Sequence, residues 1–211
     1  MGKKWYERYR WFFSSNDILV ILGKNSRNDE TILKRFTRPQ DLVLHSDLKS
    51  NFAVIRNDPG KILPAETIYE AAVFLTCYSE AWDKKLDKEK VSVFYVKPEQ
   101  VEKKEGAPKG VFEIVGEKKY LEKIEPRLSI GIKQEEVFGI KLIYGPPTAV
   151  KSKTPYLVTL VPGDVPADVL AEDIKKELML KVCPEISKPT ESIELKEIEK
   201  IIPFNKGELV K

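Results

Sequence analysis

The chain has 211 residues, 42% hydrophobic and 33% charged, with a formal net charge of +3. Such an apolar content excludes a disordered polymer, and no apolar run of about 18 residues is present to cross a bilayer. Two distant cysteines, Cys77 and Cys183, exclude a disulfide framework, and the N-terminus lacks the apolar core of a secretory leader, so a reducing, cytoplasmic setting is expected.

The first elements read as a hairpin. Trp11-Phe12-Phe13 and Ile18-Leu19-Val20-Ile21-Leu22 are β-rich runs around the turn-forming Ser14-Ser15-Asn16-Asp17. Asn28 is expected to cap a short helix through residue 37, with Asp29 and Glu30 in its first turn and Lys34 and Arg35 in its last. Strands are expected over 42–47 and 52–55, before a turn at Asn57-Asp58-Pro59-Gly60. From 64 to 82 the pattern is helical, and so apolar that the helix is expected to be buried against a sheet. Strands over 91–96 and 111–115 come next, then alternation over 127–143 and another strand over 156–161. Pro162-Gly163-Asp164 is the best internal boundary. Beyond it, Leu170, Ile174 and Leu178 repeat at helical spacing, and Leu195, Ile198 and Ile202 mark a second short helix. Neither is long enough to stand alone in water, so both are expected to pack back onto the main domain or onto another subunit.

Charge is distributed unevenly. Residues 1–56 hold eleven Lys/Arg against six Asp/Glu, whereas residues 165–211 hold eight against ten. A basic front half suggests a surface that meets an anion, for which nucleic acid is the usual candidate. Asn and Gln together number nine while Lys and Glu abound, a composition suggestive of heat adaptation.

His45 is the sole histidine, and in a strand it shares a face with Asp47. That pair suits general acid–base work or a metal, but no nucleophile or second ligand is recognisable nearby in sequence, so a histidine oriented by a carboxylate in a binding surface or core edge is the favoured reading. Residues 21–28 end a strand and enter a helix with Lys24 and Arg27, a place where backbone amides and cations can hold a phosphate, though without the spacing of a Walker loop. Trp5, Tyr6, Tyr9, Trp11, Phe12 and Phe13 alternate with Lys3, Lys4, Arg8 and Arg10, as in surfaces that stack unpaired bases; alternate members of such a run also serve as core. Cys77 and Cys183 read as inert packing thiols.

Several ordered motifs resemble the NFACT-R domain, the RNA-binding part of NFACT proteins. They are Trp5-Tyr6-Glu7-Arg8-Tyr9-Arg10-Trp11-Phe12-Phe13, Asn28-Asp29-Glu30, Arg38-Pro39-Gln40-Asp41-Leu42-Val43-Leu44-His45-Ser46-Asp47, Tyr78-Ser79-Glu80-Ala81-Trp82 and Lys109-Gly110-Val111-Phe112-Glu113. The likeness covers residues 5–121, and Gly145-Pro146-Pro147 with 156–163 resembles the stretch C-terminal to this domain in archaeal and eukaryotic members. The chain departs from the family pattern at Leu22-Gly23-Lys24-Asn25, at Lys49-Ser50-Asn51, in a shortened Glu105-Gly106-Ala107-Pro108 and at Val115-Gly116-Glu117-Lys118-Lys119. The family's other domains have no counterpart, so the resemblance implies a free-standing R domain that binds RNA without catalysis. Its full-length relatives act on stalled large ribosomal subunits and engage tRNA.

Together these readings predict an α+β fold: a mixed, largely antiparallel sheet with packed helices over 1–163 and a helical C-terminal extension over 164–211. The expected partner is tRNA or ribosomal RNA, with the large ribosomal subunit as its setting; no cofactor and no membrane are expected. Lys24, Arg27, Lys34, Arg35 and Arg38 are expected to bind phosphates, with His45 and Asp47 shaping the surface beside them. Trp5, Lys97, Lys118 and Lys119 complete the expected contacts. Two alternatives stand beside this: a protein-interaction module on the ribosome, and a subunit of an RNA-processing or RNA-modification system using His45 and Asp47.

Overall fold

The structure is a computed structural model and describes residues 4–135 and 139–210. Its first strands form the expected hairpin, β1 (Arg10–Phe13) antiparallel to β2 (Leu19–Leu22), with Phe13 opposite Leu19. The Ser14 hydroxyl closes the turn by accepting the amides of Asn16 and Ile18. Helix α1 (Ser26–Thr31) passes directly into a π-helical turn, Ile32–Phe36. Its cap is Asn25, not Asn28. Asn25 Oδ1 accepts the Asn28 amide at 2.9 Å, and Asn28 Oδ1 reaches back to the Lys24 amide at 3.3 Å. These reciprocal bonds satisfy two amides at the helix start, which explains the earlier onset.

Strands β3 (Leu42–His45) and β4 (Ala53–Ile55) precede α2 (Ala65–Cys77) and α3 (Glu80–Asp83). The single helix expected over 64–82 is therefore two, because Ser79 Oγ accepts the Ala81 amide and caps a new start. Next come β5 (Ser92–Val96), β6 (Val101–Glu102), β7 (Glu113–Ile114) and β8 (Lys119–Glu122). The alternating stretch over 127–143 resolves into β9 (Leu128–Glu135) and β10 (Gly139–Gly145), an antiparallel pair. Helix α4 (Pro147–Lys151) leads to β11 (Leu157–Pro166), followed by α5 (Ala167–Lys181), α6 (Pro184–Glu191), α7 (Leu195–Glu199) and β12 (Lys206–Leu209). Pro162-Gly163-Asp164 sits inside β11, where the register against β12 shifts between Val161 and Val165. The breaker residues thus make a bulge in a continuing strand.

The strands assemble into a six-stranded sheet, β1-β2-β4-β3-β5-β8, a four-stranded sheet, β10-β9-β11-β12, and a β6–β7 ribbon. Every pairing among the described residues is antiparallel. The α+β class with largely antiparallel strands and C-terminal helices is the observed one. Among the described residues no helix is long and apolar enough to cross a membrane.

Period-two alternation separates the two faces of the larger sheet. Val20, Leu22, Leu44, Ala53, Ile55 and Val93 share a core with α2. Ile21, Val43, Val54, Phe94 and Val96 face the other way, toward Tyr6, Ile32, Phe36, Phe112 and Ile114. Both faces are covered, so the central strands are continuously apolar and only the pattern of their neighbours tells the faces apart. Helix α2 is buried on nearly all sides because it touches β3 and β4 of one sheet and β9 of the other. The C-terminal segment packs back as expected. Tyr78 Oη donates to the Ile201 carbonyl at 2.8 Å, and Trp82 Nε1 donates to the Lys206 carbonyl at 2.9 Å.

Candidate nucleic-acid interface

The face of the larger sheet away from α2 carries α1 and its π turn, on which several of the expected contact residues lie. Helix α1 and its π turn lie there because Ile32 is fully buried while Leu33 and Phe36 pack beside it. The opposite side of the same segment must then face water, and it holds Lys24, Arg27, Lys34, Arg35 and Arg38, all exposed. In the π turn the Thr37 amide bonds to the Ile32 carbonyl at 3.0 Å, which widens the turn just before Arg38. Asp41 then holds the chain. Its buried carboxylate accepts the Arg38 amide at 2.9 Å, the Asn57 amide at 3.0 Å and Arg56 Nη1 at 2.7 Å.

The β6–β7 ribbon is fastened to α1 through Glu30. That carboxylate takes Lys34 at 2.7 Å, the Gly110 amide at 3.0 Å and Lys103 at 3.4 Å. The Lys34 bond foremost, then the Gly110 amide, hold its carboxyl down at about 2. Gly110 adopts φ +76°, and a Cβ there would meet Ser26 at 2.4 Å, so only glycine lets the ribbon loop close on α1. The result is a groove of about 410 Å³ lined by Leu33, Lys34, Arg38, Lys103 and Phe112. Phe112 also lines a neighbouring hollow of about 410 Å³ with His45, Asp47, Phe52, Phe94 and Lys118.

His45 and Asp47 are brought into that one hollow, but not as a hydrogen-bonded dyad. Asp47 accepts Tyr120 Oη at 3.0 Å and Lys118 Nζ at 3.4 Å. The His45 ring lies 4.2 Å from Phe52. Burial lowers its pKa against the opposing pull of the Ser46 and Ser50 backbone and of Asp47, so the ring is neutral at pH 7. Lys118 sits 4.2 Å over Phe94 as well as against Asp47, and Lys97 pairs with Glu99 at 3.6 Å. Lys24, Arg27, Arg35, Arg38 and Lys119 have no carboxylate ion-pair partner among the described residues. Trp5 stacks on Phe36 at 4.4 Å and carries Arg56 over its ring at 5.3 Å, so part of its surface is already used inside the fold.

Sequence reasoning missed the buried polar group beneath α1. Asp29 is 4% exposed; it accepts Asn51 Nδ2 at 2.7 Å and the Phe52 amide at 3.3 Å. Gly23 is required beside it, since a Cβ there would stand 1.9 Å from Asp29 Oδ1. Burial raises the Asp29 carboxyl from 3.8 to about 6, the Asn51 and Phe52 bonds only partly opposing it. The folded chain therefore binds more protons than the unfolded one between pH 4 and 6. Stability from this group is greatest below about pH 4 and falls as pH rises to about 6, by about 3 kcal/mol in all. Denaturant melts of Asp29→Asn should lack that part of the wild-type slope; an unchanged difference between pH 4 and 7 would refute the assignment.

Comparison with known protein families matches residues 8–116 to the NFACT protein RNA binding domain. The chain belongs to the NFACT-R family. The expected contacts from Lys24 to Lys97 fall inside the matched span, whereas Trp5, Lys118 and Lys119 lie just outside it. Among relatives of this NFACT-R chain, the archaeal Rqc2 homolog aRqcH of Methanocaldococcus jannaschii is 31% identical over 179 residues, covering 82% of this chain and 26% of that protein. The human ribosome quality control complex subunit NEMF is 36% identical over 122 residues, covering 56% and 11%. The Rqc2 homolog RqcH of Bacillus subtilis is 32% identical over 99 residues, covering 46% and 16%. The chain thus spans about a quarter or less of these relatives' length. A solved structure, the C-terminal part of the fibronectin/fibrinogen-binding protein from Streptococcus suis, superposes with a TM-score of 0.48 at 18% identity, covering 58% of this chain and 46% of that one.

Proposed function

We propose that this NFACT-R chain binds tRNA or ribosomal RNA without catalysis, in the cytoplasm and in the setting of the large ribosomal subunit. The observation that carries this reading is the row of exposed cations Lys24, Arg27, Arg35 and Arg38, alongside a groove lined by Lys34, Lys103 and Phe112. Lys34 and Lys103 share Glu30, and Glu99 also lines the groove, so the cations without a carboxylate partner are the ones that attract a polyanion and release its counterions. Lys97, Lys118 and Lys119 extend the positive surface past the ribbon, with His45 and Asp47 between as shaping groups and Trp5 beside the π turn. The relatives' names, which speak of ribosome quality control, support the ribosomal setting. In this reading residues 1–163 hold the RNA contacts and residues 164–211 brace them.

Replacing Lys24 and Arg27 together by alanine should weaken binding of tRNA and of ribosomal RNA fragments alike. The slope of log affinity against log salt should fall by about one for each phosphate that is no longer neutralised. Unchanged affinity and slope would remove the patch from the interface. Tight capture of a ribosomal protein by a chain that ignores bare RNA would instead favour the protein-interaction reading, in which the paired lysines exchange their carboxylates for those of an acidic partner.

A further inference from the structure

A second basic and aromatic surface lies at the seam between the two sheets. β1 is an edge strand of the larger sheet and β10 an edge strand of the smaller one, and the two touch. Between them is a cleft of about 170 Å³ lined by Trp11, Phe13, Tyr144, Lys133, Lys141 and Lys153, with the carboxylates of Asp17 and Glu135 also on its lining. This volume is below the range of about 300 Å³ upward that holds drug-sized ligands, and it suits a single flat ring system. Phe13 is 37% exposed and Trp11 half-buried, although Phe12 between them is core. Strand alternation thus turns two large aromatics outward on the same face as α1.

Charge and continuity define the occupant. Lys153 is paired with Asp17 at 2.6 Å. Lys133 and Lys141 are exposed and have no carboxylate ion-pair partner among the described residues, and Lys141 Nζ stands 5.4 Å from the Trp11 ring centre. Inside the fold, ring contacts run from Phe36 of the π turn to this cleft: Phe36 to Trp5 at 4.4 Å, Trp5 to the buried Tyr6 at 5.8 Å, Tyr6 to Trp11 at 4.9 Å and Trp11 to Phe13 at 5.8 Å.

We propose that the β1–β10 cleft takes an unpaired base of an RNA strand that leaves the basic groove, Trp11 and Phe13 stacking the base while Lys133 and Lys141 hold its flanking phosphates. This rests on the RNA-binding reading of the groove. Stacking on exposed aromatics with cations beside them is how single strands are held without sequence readout.

The test uses the full chain with labelled oligoadenylate of about twelve nucleotides, within the range of single-strand sites, and a blunt RNA duplex of equal length. Trp11→Leu should weaken single-strand binding about tenfold, leave duplex binding unchanged and leave the salt slope in place. Lys133→Ala with Lys141→Ala should lower the single-strand salt slope by about 1.4. Because both lysines are exposed, that double variant decides the matter if Trp11→Leu melts early. Wild-type single-strand affinity in both variants, with binding still lost on replacing Lys24 and Arg27, overturns the cleft and spares the groove. A wild-type chain that binds neither RNA overturns both.

Discussion

Deleting residues 164–211 is expected to leave residues 1–163 unable to fold. The removed segment contributes Leu170, Ile174, Leu178, Ile186, Ile198 and Ile202, each at most 4% exposed, to the same core as α2 and the smaller sheet. Burial of such a side chain is worth about 1.5–3 kcal/mol, so six of them match or exceed the roughly 5–15 kcal/mol that keeps a domain folded. The cut also strips β12 from β11 and removes the carbonyls that pair with Tyr78 and Trp82. Circular dichroism and a thermal melt of the shortened chain check this. A cooperative transition near that of the full chain would show that the segment is an accessory and not a brace.

Asp41→Ala should be the most damaging single change near the basic face. It removes the acceptor for Arg56 and for the Arg38 and Asn57 amides, and leaves the partly buried Arg56 guanidinium with the Phe36 carbonyl as its remaining acceptor. Breaking one side of a buried ion pair costs about 3–5 kcal/mol, whereas exchanging both partners for apolar groups costs less. Denaturant unfolding should therefore rank Asp41→Ala below the double variant Asp41→Leu/Arg56→Met. RNA affinity should fall with the single variant even where it remains folded, because Arg38 loses its tether. A loss of stability under about 1 kcal/mol, typical of an exposed pair, would contradict a buried role for Asp41.

Particular residues show what the sequence discloses. The hairpin is legible because Ser14-Ser15-Asn16-Asp17 divides two β-rich runs, and α5 because Leu170, Ile174 and Leu178 repeat with the helical period and are all buried. The π turn leaves no compositional trace, since shifting a hydrogen bond from the fourth to the fifth residue alters no side chain. Strands β6 and β7 are two residues long each, too short for alternation to register. β12 forms only because β11 offers its edge, a tertiary cause.

The site divides in the same way. Cations along α1 are readable from spacing, whereas the shared hollow of His45 and Asp47 does not come from strand alternation, because β3 ends at His45 and Asp47 lies in the bend beyond it. Which cations are neutralised is not readable. Lys118 meets Asp47 across 71 residues of chain, and Glu30 gathers Lys103 and Gly110 from the distant ribbon. Lys133 and Lys141 belong to another sheet from Trp11, so no local pattern joins them. Asp29 does carry a local signal, an acid in the first turn of a helix that starts just beyond a glycine-ended strand, but its burial depends on Asn51 and Phe52 from a separate loop.

The meeting of β1 and β10 also bears on how this chain behaves when concentrated. An uncovered edge strand is a template for pairing with another copy, and natural sheets guard against it by cover or by charge. Gly145 of β10 sits against Phe12 closely enough that a Cβ would come within 3.2 Å, so the two sheets shield each other's hydrophobic margins. The remaining margins carry Lys119 and Glu122 on β8, and Lys206 and Glu208 on β12. That mutual cover, with the charges on the remaining margins, is the kind of guard that β-rich runs need against pairing with another copy.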